Sequence, residues 1–183
     1  MPWGLKRFHH SGQSHFVTFC CYHRRRLFTT EASCRIFESA LERVRRSFRL
    51  YVYGYVVMPE YLHLLLSEPQ VGTLADALKS LKQGVSRRSV GNAGHFLQKR
   101  YYDFNIRNYL QFVEKLRYIH RNPVKRGLCD RPEDWQWSSF RHYASGAEGR
   151  VEIESEWTAR KRERGAGRLC AAVELPHSSQ RQA

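Results

Sequence analysis

The hydrophobic pattern of the chain begins with a β-branched and aromatic run, His15-Phe-Val-Thr-Phe-Cys-Cys-Tyr22, which predicts a first strand after an aperiodic, histidine-containing lead-in over residues 1–12. Between Thr30 and Phe48 the period changes. Phe37, Ala40, Leu41, Val44 and Phe48 form one helical stripe, with Arg35, Arg43, Arg45, Arg46 and Arg49 mostly off it. Two apolar runs, Leu50–Val57 and Leu62–Ser67, flank Met58-Pro-Glu60 and read as strand, tight turn, strand. Leu74, Leu78, Leu81 and Val85 mark a second helix capped near Thr73. A loop over Ser89–His95 leads to an aromatic stretch, Phe96–Phe104, that contains a fourth strand. Asn108 is a suitable N-cap for a third helix, whose stripe is Tyr109, Phe112, Val113, Leu116 and Ile119. Pro123 biases the chain out of helix there, and Gly127 suits the following turn.

Strand–helix–strand–strand–helix–strand, followed by a further helix, predicts a ferredoxin-like α+β fold with helices on one side of an antiparallel sheet. The pattern assigns one domain to residues 1–145, with Trp135, Trp137 and Phe140 docking the segment after the third helix. Residues 146–183 are rich in Glu, Arg, Gly and Ala and read as a loosely ordered tail, dispensable for the fold. This architecture hosts many functions and selects none.

Charge narrows the choice. Lys and Arg number 31 against 17 Asp and Glu, a formal net charge of +14, and the pI is near 10.0. Such an excess favours a polyanionic partner, since each phosphate contact releases counterions. No apolar run is long enough to span a bilayer, and the N-terminus lacks a continuous signal-peptide core. Five cysteines, Cys20, Cys21, Cys34, Cys129 and Cys170, form no C-x-x-C pair and read as reduced thiols of a cytoplasmic, nucleoid-associated protein.

Two stretches carry candidate chemistry. On the third helix, Tyr118 points almost opposite the apolar stripe, and Asn122, four residues on, shares its face beside Lys115. Taken alone, Tyr118 reads first as a surface tyrosine lying on its neighbours, and only second as a nucleophile. On the third strand, Tyr61 and His63 are two apart and share one face of the sheet. Taken alone, they are two half-buried strand residues.

Together these stretches resemble a family. Met58-Pro-Glu-Tyr-Leu-His-Leu-Leu65 and Tyr118-Ile-His-Arg-Asn-Pro-Val-Lys-Arg-Gly-Leu128 are similar to the paired motifs of the REP-associated tyrosine transposases, a branch of the single-strand transposases and relaxases with a His-hydrophobe-His strand. Gln98-Lys-Arg-Tyr-Tyr-Asp-Phe-Asn105 and Arg131-Pro-Glu-Asp-Trp-Gln-Trp-Ser-Ser-Phe140 add to the likeness, which covers roughly residues 1–145. One position departs: Tyr61 stands where the family has the first histidine.

The resemblance implies a transposase, a metal-dependent single-strand DNA endonuclease acting on single-stranded or hairpin DNA. Tyr118 would be the nucleophile, leaving a 5′-phosphotyrosine and a free 3′-hydroxyl. Mg²⁺ or Mn²⁺ would be held by His63, Asn122 and the residue at 61. Tyr61 is a poorer ligand than imidazole, because a neutral phenol has a solution pKa near 10. An alternative follows directly: a catalytically impaired member that only binds DNA. Arg24, Arg25, Arg26, Lys79, Lys82, Lys99, Arg100, Lys115, Arg121, Lys125 and Arg126 recur beside these elements as candidate DNA contacts, with Tyr101, Tyr102 and Phe104 available to stack bases. Asp103 and His120 read as structural. An RNA-binding module of the RRM kind is disfavoured, because no Lys/Arg-Gly-aromatic strand signature is present. The pattern leaves monomer and dimer equally open.

Overall fold

The computed structural model describes residues 14–90, 95–158, 160–162 and 164. The lead-in over residues 1–12 and residues 91–94 of the loop after Ser89 lie outside the described residues. Contacts divide the chain into two units, Met1–Ile153 and Glu154–Ala183.

The first unit is built on four strands: β1 (Ser14–Cys20), β2 (Val52–Val57), β3 (Tyr61–Ser67) and β4 (Tyr102–Ile106). Their order in the sheet is β2-β3-β1-β4, and every pairing is antiparallel. This is the ferredoxin-like order that the pattern predicts. The fourth strand begins later than the aromatic stretch, after an isolated bridge between Cys21 and Leu97. After β1, a short 3₁₀ turn over Tyr22–Arg24, in which His23 and Arg24 take left-handed φ angles of 53° and 55°, leads into Arg25 and Arg26.

Helices α1 (Glu31–Phe48) and α2 (Leu74–Val90) begin at well-made caps. The Thr30 hydroxyl accepts from the Ser33 backbone N–H, and the Ser33 hydroxyl answers at the Thr30 backbone, a capping box. Thr73 Oγ1 accepts from Asp76 N–H in the same way. Phe37, Ala40, Leu41 and Val44 from α1 meet Leu74, Leu78, Leu81 and Val85 from α2 over Val17, Phe19, Leu62, Leu64 and Leu66, forming the larger core.

The third helix, α3 (Tyr109–Lys125), covers the other face. Phe112, Leu116 and Ile119 pack with Phe16, Val56, Met58, Leu65 and Ile106 in a second core, so helices flank both sides of the sheet rather than one. Strand alternation explains the split. Phe16, Val56 and Leu65 face α3 while Val17, Val57, Leu64 and Leu66 face α1 and α2. Gly54 makes the approach possible, since a Cβ there would come within 2.6 Å of Leu116 Cδ1. The helix also runs through Pro123 to Lys125 instead of ending before it. Proline disfavours the helical region for Asn122, but burial of Asn122 and Pro123 against the sheet outweighs that bias for the last turn. Gly127 then reverses the chain at φ 66°.

The segment after α3 covers the β2 edge. Val57 N–H donates to Trp137 O at 2.9 Å, Ser139 N–H donates to Tyr55 O at 3.0 Å, and Trp135 Nε1–H donates to Val57 O at 3.0 Å. A short helix, α4 (Phe140–Ser145), follows. Beyond the expected boundary at 145, Val151 and Ile153 are buried in the larger core, Ile153 bridges Val52, and Glu152 N–H donates to Glu42 Oε2. Residues 146–153 therefore belong to the packed unit. A chain ending at Tyr143 should lose about 3 kcal/mol, or roughly 10 °C in Tm, because two aliphatic side chains lose their burial. Thermal unfolding of the two lengths checks this, and an unchanged midpoint would show that the contacts contribute little. The described part of the second unit is helical over 156–158 and 160–162, with Arg160 paired to Glu156 at 3.3 Å and Arg162 to Glu154 at 2.7 Å.

Candidate active site at the strand–helix junction

Strand β3 and the last turns of α3 bring Tyr61, His63, Tyr118 and Asn122 together. The Tyr61 hydroxyl donates to Asn122 Oδ1 at 2.7 Å. Asn122 Nδ2 lies 3.4 Å from His63 Nε2, and His63 Nδ1 lies 2.8 Å from Thr18 Oγ1 on β1. With the amide oriented this way, Nε2 accepts from Asn122 and Nδ1–H donates to Thr18. The Tyr118 ring stands edge-on to His63 and Phe16, at centroid distances of 5.2 and 5.9 Å. Lys125 Nζ lies 5.7 Å from the same ring, and Tyr118 is 39% exposed. Buried neighbours fix the ring while one side stays open to solvent.

Electrostatics keep these groups neutral or basic in defined ways. Burial lowers the His63 pKa to about 4, so its imidazole is uncharged near neutrality, with the Nε2 lone pair turned towards the Asn122 amide. Burial raises the pKa of the Tyr61 phenol; repulsion from Tyr118 and Glu60 adds to that, and Arg126 and the Asn122 hydrogen bond oppose it. The phenol thus stays protonated. Arg126 lies 5.7 Å from the Tyr61 ring and 3.7 Å from Glu60, which also pairs with Arg26 at 3.5 Å. Two candidate cations from distant parts of the chain meet at the β2–β3 turn.

The donor set does not fit a divalent cation as it stands. His63 offers one imidazole, the Asn122 oxygen is already taken by Tyr61, and a protonated phenol is a weak donor. Among the described residues, no group of three or more His, Cys, Asp or Glu side chains could hold a metal ion.

The other expected contacts are dispersed. Lys115 reaches back over Phe16 and Phe104, 5.5 and 5.0 Å from the ring centroids, so Phe104 is covered rather than offered to a base. Arg121 and Lys125 line a groove on the outer side of α3. Lys79 and Lys82 ride on α2, across the sheet from Tyr118, and Lys82 Nζ donates to Lys99 O at 2.6 Å. Tyr101 packs on Phe19 beneath Lys82, whereas Tyr102 is exposed. Arg24, Arg25, Lys99 and Arg100 are exposed outside these packed elements.

Sequence reasoning left out Thr18 and His15. A threonine facing out of a central strand gives no signal until its partner is known. His15 is buried between Asp103 Oδ1 at 3.0 Å and Glu68 Oε1 at 3.6 Å. His120, as expected, is structural: its Nε2 lies 2.9 Å from Ser139 Oγ, and burial lowers its pKa to about 4.

Stability should peak near the ordinary imidazole pKa of about 6.5. His63 and His120 stay neutral in the fold while the unfolded chain takes up protons, so stability falls as pH drops from 6.5 towards about 4. His15 works on the other limb. Burial alone would lower its pKa, but Asp103 and Glu68 together raise it. Its contribution is present below 6.5 and is lost as pH rises through the raised value. Glu38, raised by burial, opposes the acid limb, whereas Glu42, which burial alone would raise but Arg45, the Glu152 backbone N–H and Arg46 hold low, adds to its lowest end. Urea unfolding from about pH 4 to about pH 8 measures both limbs, and a flat profile would contradict them.

Known proteins resemble this chain in sequence and in fold. Residues 9–122 match the model of a family described as transposase IS200 like. A REP-associated tyrosine transposase of Escherichia coli K12 is 27% identical over 138 residues, 74% of this chain and 81% of that protein. A putative REP-associated tyrosine transposase of Haemophilus influenzae Rd is 25% identical over 142 residues, 70% and 80% of the two chains. The solved structure of a REP-associated tyrosine transposase bound to a REP hairpin shares the fold, with a TM-score of 0.68 at 20% identity over 100% of this chain and 99% of that one.

Proposed function

Since the chain belongs to the IS200-like transposases, we propose that it binds single-stranded or hairpin DNA and cleaves and rejoins it through Tyr118. The observation that carries this reading is the meeting of Tyr118 with His63, Asn122 and Tyr61 across fifty-odd residues of sequence.

In the proposed reaction the Tyr118 hydroxyl oxygen attacks phosphorus and its proton passes to solvent at the open side of the ring. The P–O3′ bond breaks, the 3′-oxygen leaves as a hydroxyl after taking a proton from water, and the 5′ side stays on Tyr118 as a phosphotyrosine. Rejoining reverses these steps with a second 3′-hydroxyl. Lys125 beside the Tyr118 ring and Arg126 beside Tyr61 neutralise the phosphate charge as it develops. The second N–H of the Asn122 amide offers a hydrogen-bond donor on the sheet side of the same space, the amide being held there by the Tyr61 hydroxyl. The cation implied by the family, Mg²⁺ or Mn²⁺, would draw on His63 and Asn122 with Tyr61 in place of a second histidine, a set that does not fit it as it stands; were it bound, it would polarise the scissile phosphate.

A second reading, DNA binding without cleavage, is favoured by the hydrogen bond that ties up Asn122. The two readings share the binding step, and the partner is a hairpin of the kind bound by the solved relative. Affinity for a labelled hairpin oligonucleotide, measured between low and physiological salt, should fall steeply, with a log–log slope of several units reflecting several phosphate contacts. A flat slope would overturn both readings.

A further inference from the structure

On its outer side α3 carries a groove of about 590 Å³, lined by Tyr109, Leu110, Arg117, Tyr118, Arg121 and Lys125. The apolar stripe expected for this helix includes Tyr109, but the residue is 77% exposed and Leu110 beside it is 79% exposed. The first turn projects past the second core, which begins at Phe112. This groove is separate from the hydrogen-bonded cluster on the sheet side, and Tyr118 lies on the border of both.

We infer that the groove seats the single-stranded segment adjoining the phosphate that Tyr118 attacks, with a base stacked on Tyr109 and phosphates on Arg117, Arg121 and Lys125. The inference rests on the cleavage reading above. Its geometry comes from the helix. Arg117, Arg121 and Lys125 recur every fourth residue, so they form a row that rises about 6 Å per step, comparable to the separation of successive phosphates in an extended strand. Tyr109 lies nine residues before Tyr118, about 13 Å along the axis and half a turn around it, so a strand crossing the groove diagonally past Arg117 would bring a base about three positions from the attacked phosphate onto Tyr109. Exposed aromatic faces next to a basic row are the features that single strands use, stacking and backbone charge together. The groove contains one acid, Glu114, and Lys115 lies 3.6 Å from its carboxylate. Three cations against one acid also argue against a second copy of the chain as occupant, because a two-fold contact would set like charges face to face.

The test uses the full chain and two labelled hairpins, one blunt and one carrying a short single-stranded extension with 2-aminopurine at each position in turn. Wild type should bind the extended hairpin roughly tenfold more tightly than the blunt one, and one 2-aminopurine position should be quenched. Tyr109→Ala should remove that quenching and most of the advantage, leaving blunt-hairpin affinity unchanged. Arg117→Ala should reduce the salt slope for the extended hairpin by about one unit, while Arg88→Ala on α2 should not. An advantage that survives both groove variants overturns the inference but leaves the cleavage reading standing, as does a dimer in sedimentation that Tyr109→Ala dissolves. Failure of wild type to bind either hairpin overturns both.

Discussion

Tyr118→Phe should abolish covalent protein–DNA product, by at least about 10³-fold, while hairpin affinity stays within about twofold of wild type. The expectation follows from how the residue is held. Its ring packs edge-on against His63 and Phe16 and lies beneath Lys125, and phenylalanine preserves each of those contacts. Only the attacking oxygen is removed. Denaturing gels of labelled hairpin incubated with each protein, alongside equilibrium binding, separate the two effects. An adduct that persists in the Phe variant would transfer the nucleophile elsewhere, and a parallel collapse of binding would make Tyr118 a DNA contact.

Tyr61→His is expected to work in the opposite direction, raising Mn²⁺ affinity by at least about tenfold, since even an outer-shell partner of a metal ligand is worth that much. The substitution does two things at once. It releases Asn122 Oδ1 from the 2.7 Å hydrogen bond donated by Tyr61, and it places a second imidazole on the same strand face as His63. His63 is already prepared, being neutral near pH 7 and held at Nδ1 by Thr18. Mn²⁺ titration followed by calorimetry measures the affinity, and nicking rates should rise with it. Equal Mn²⁺ affinity in the two proteins would show that Tyr61 does not impair the site.

Much of this was legible in the sequence because it depends on period and on local chemistry. The stripe through Phe37, Leu41 and Val44 is a helix at a glance, and Thr30 caps it as such residues do. Met58-Pro-Glu60 separates two runs that could only be adjacent strands. Tyr61 and His63 share a face by strand alternation, and Tyr118 and Asn122 share one by helical spacing. What stayed hidden depends on tertiary partners. That α3 lies on the sheet face away from α1 and α2 follows from Gly54 admitting Leu116, and neither residue announces the other. Pro123 stays helical because the turn around it is buried. His15 is invisible as a buried charge site until β4 brings Asp103 beside it, and Val151 and Ile153 look like stray apolar residues until Val52 and the larger core receive them. The closed hydrogen-bond chain Tyr61–Asn122–His63–Thr18 also needs three elements in place before it exists.

The central claim is that one tyrosine of this chain becomes covalently joined to the 5′ side of cut DNA. Digesting the adduct with protease and nuclease and sequencing the modified peptide by mass spectrometry tests it most directly. The account predicts a nucleotide phosphate on the peptide that contains Tyr118 and on no other tyrosine. A modified Tyr61, or hairpin DNA that is bound tightly and recovered uncut with no modified peptide, would contradict it.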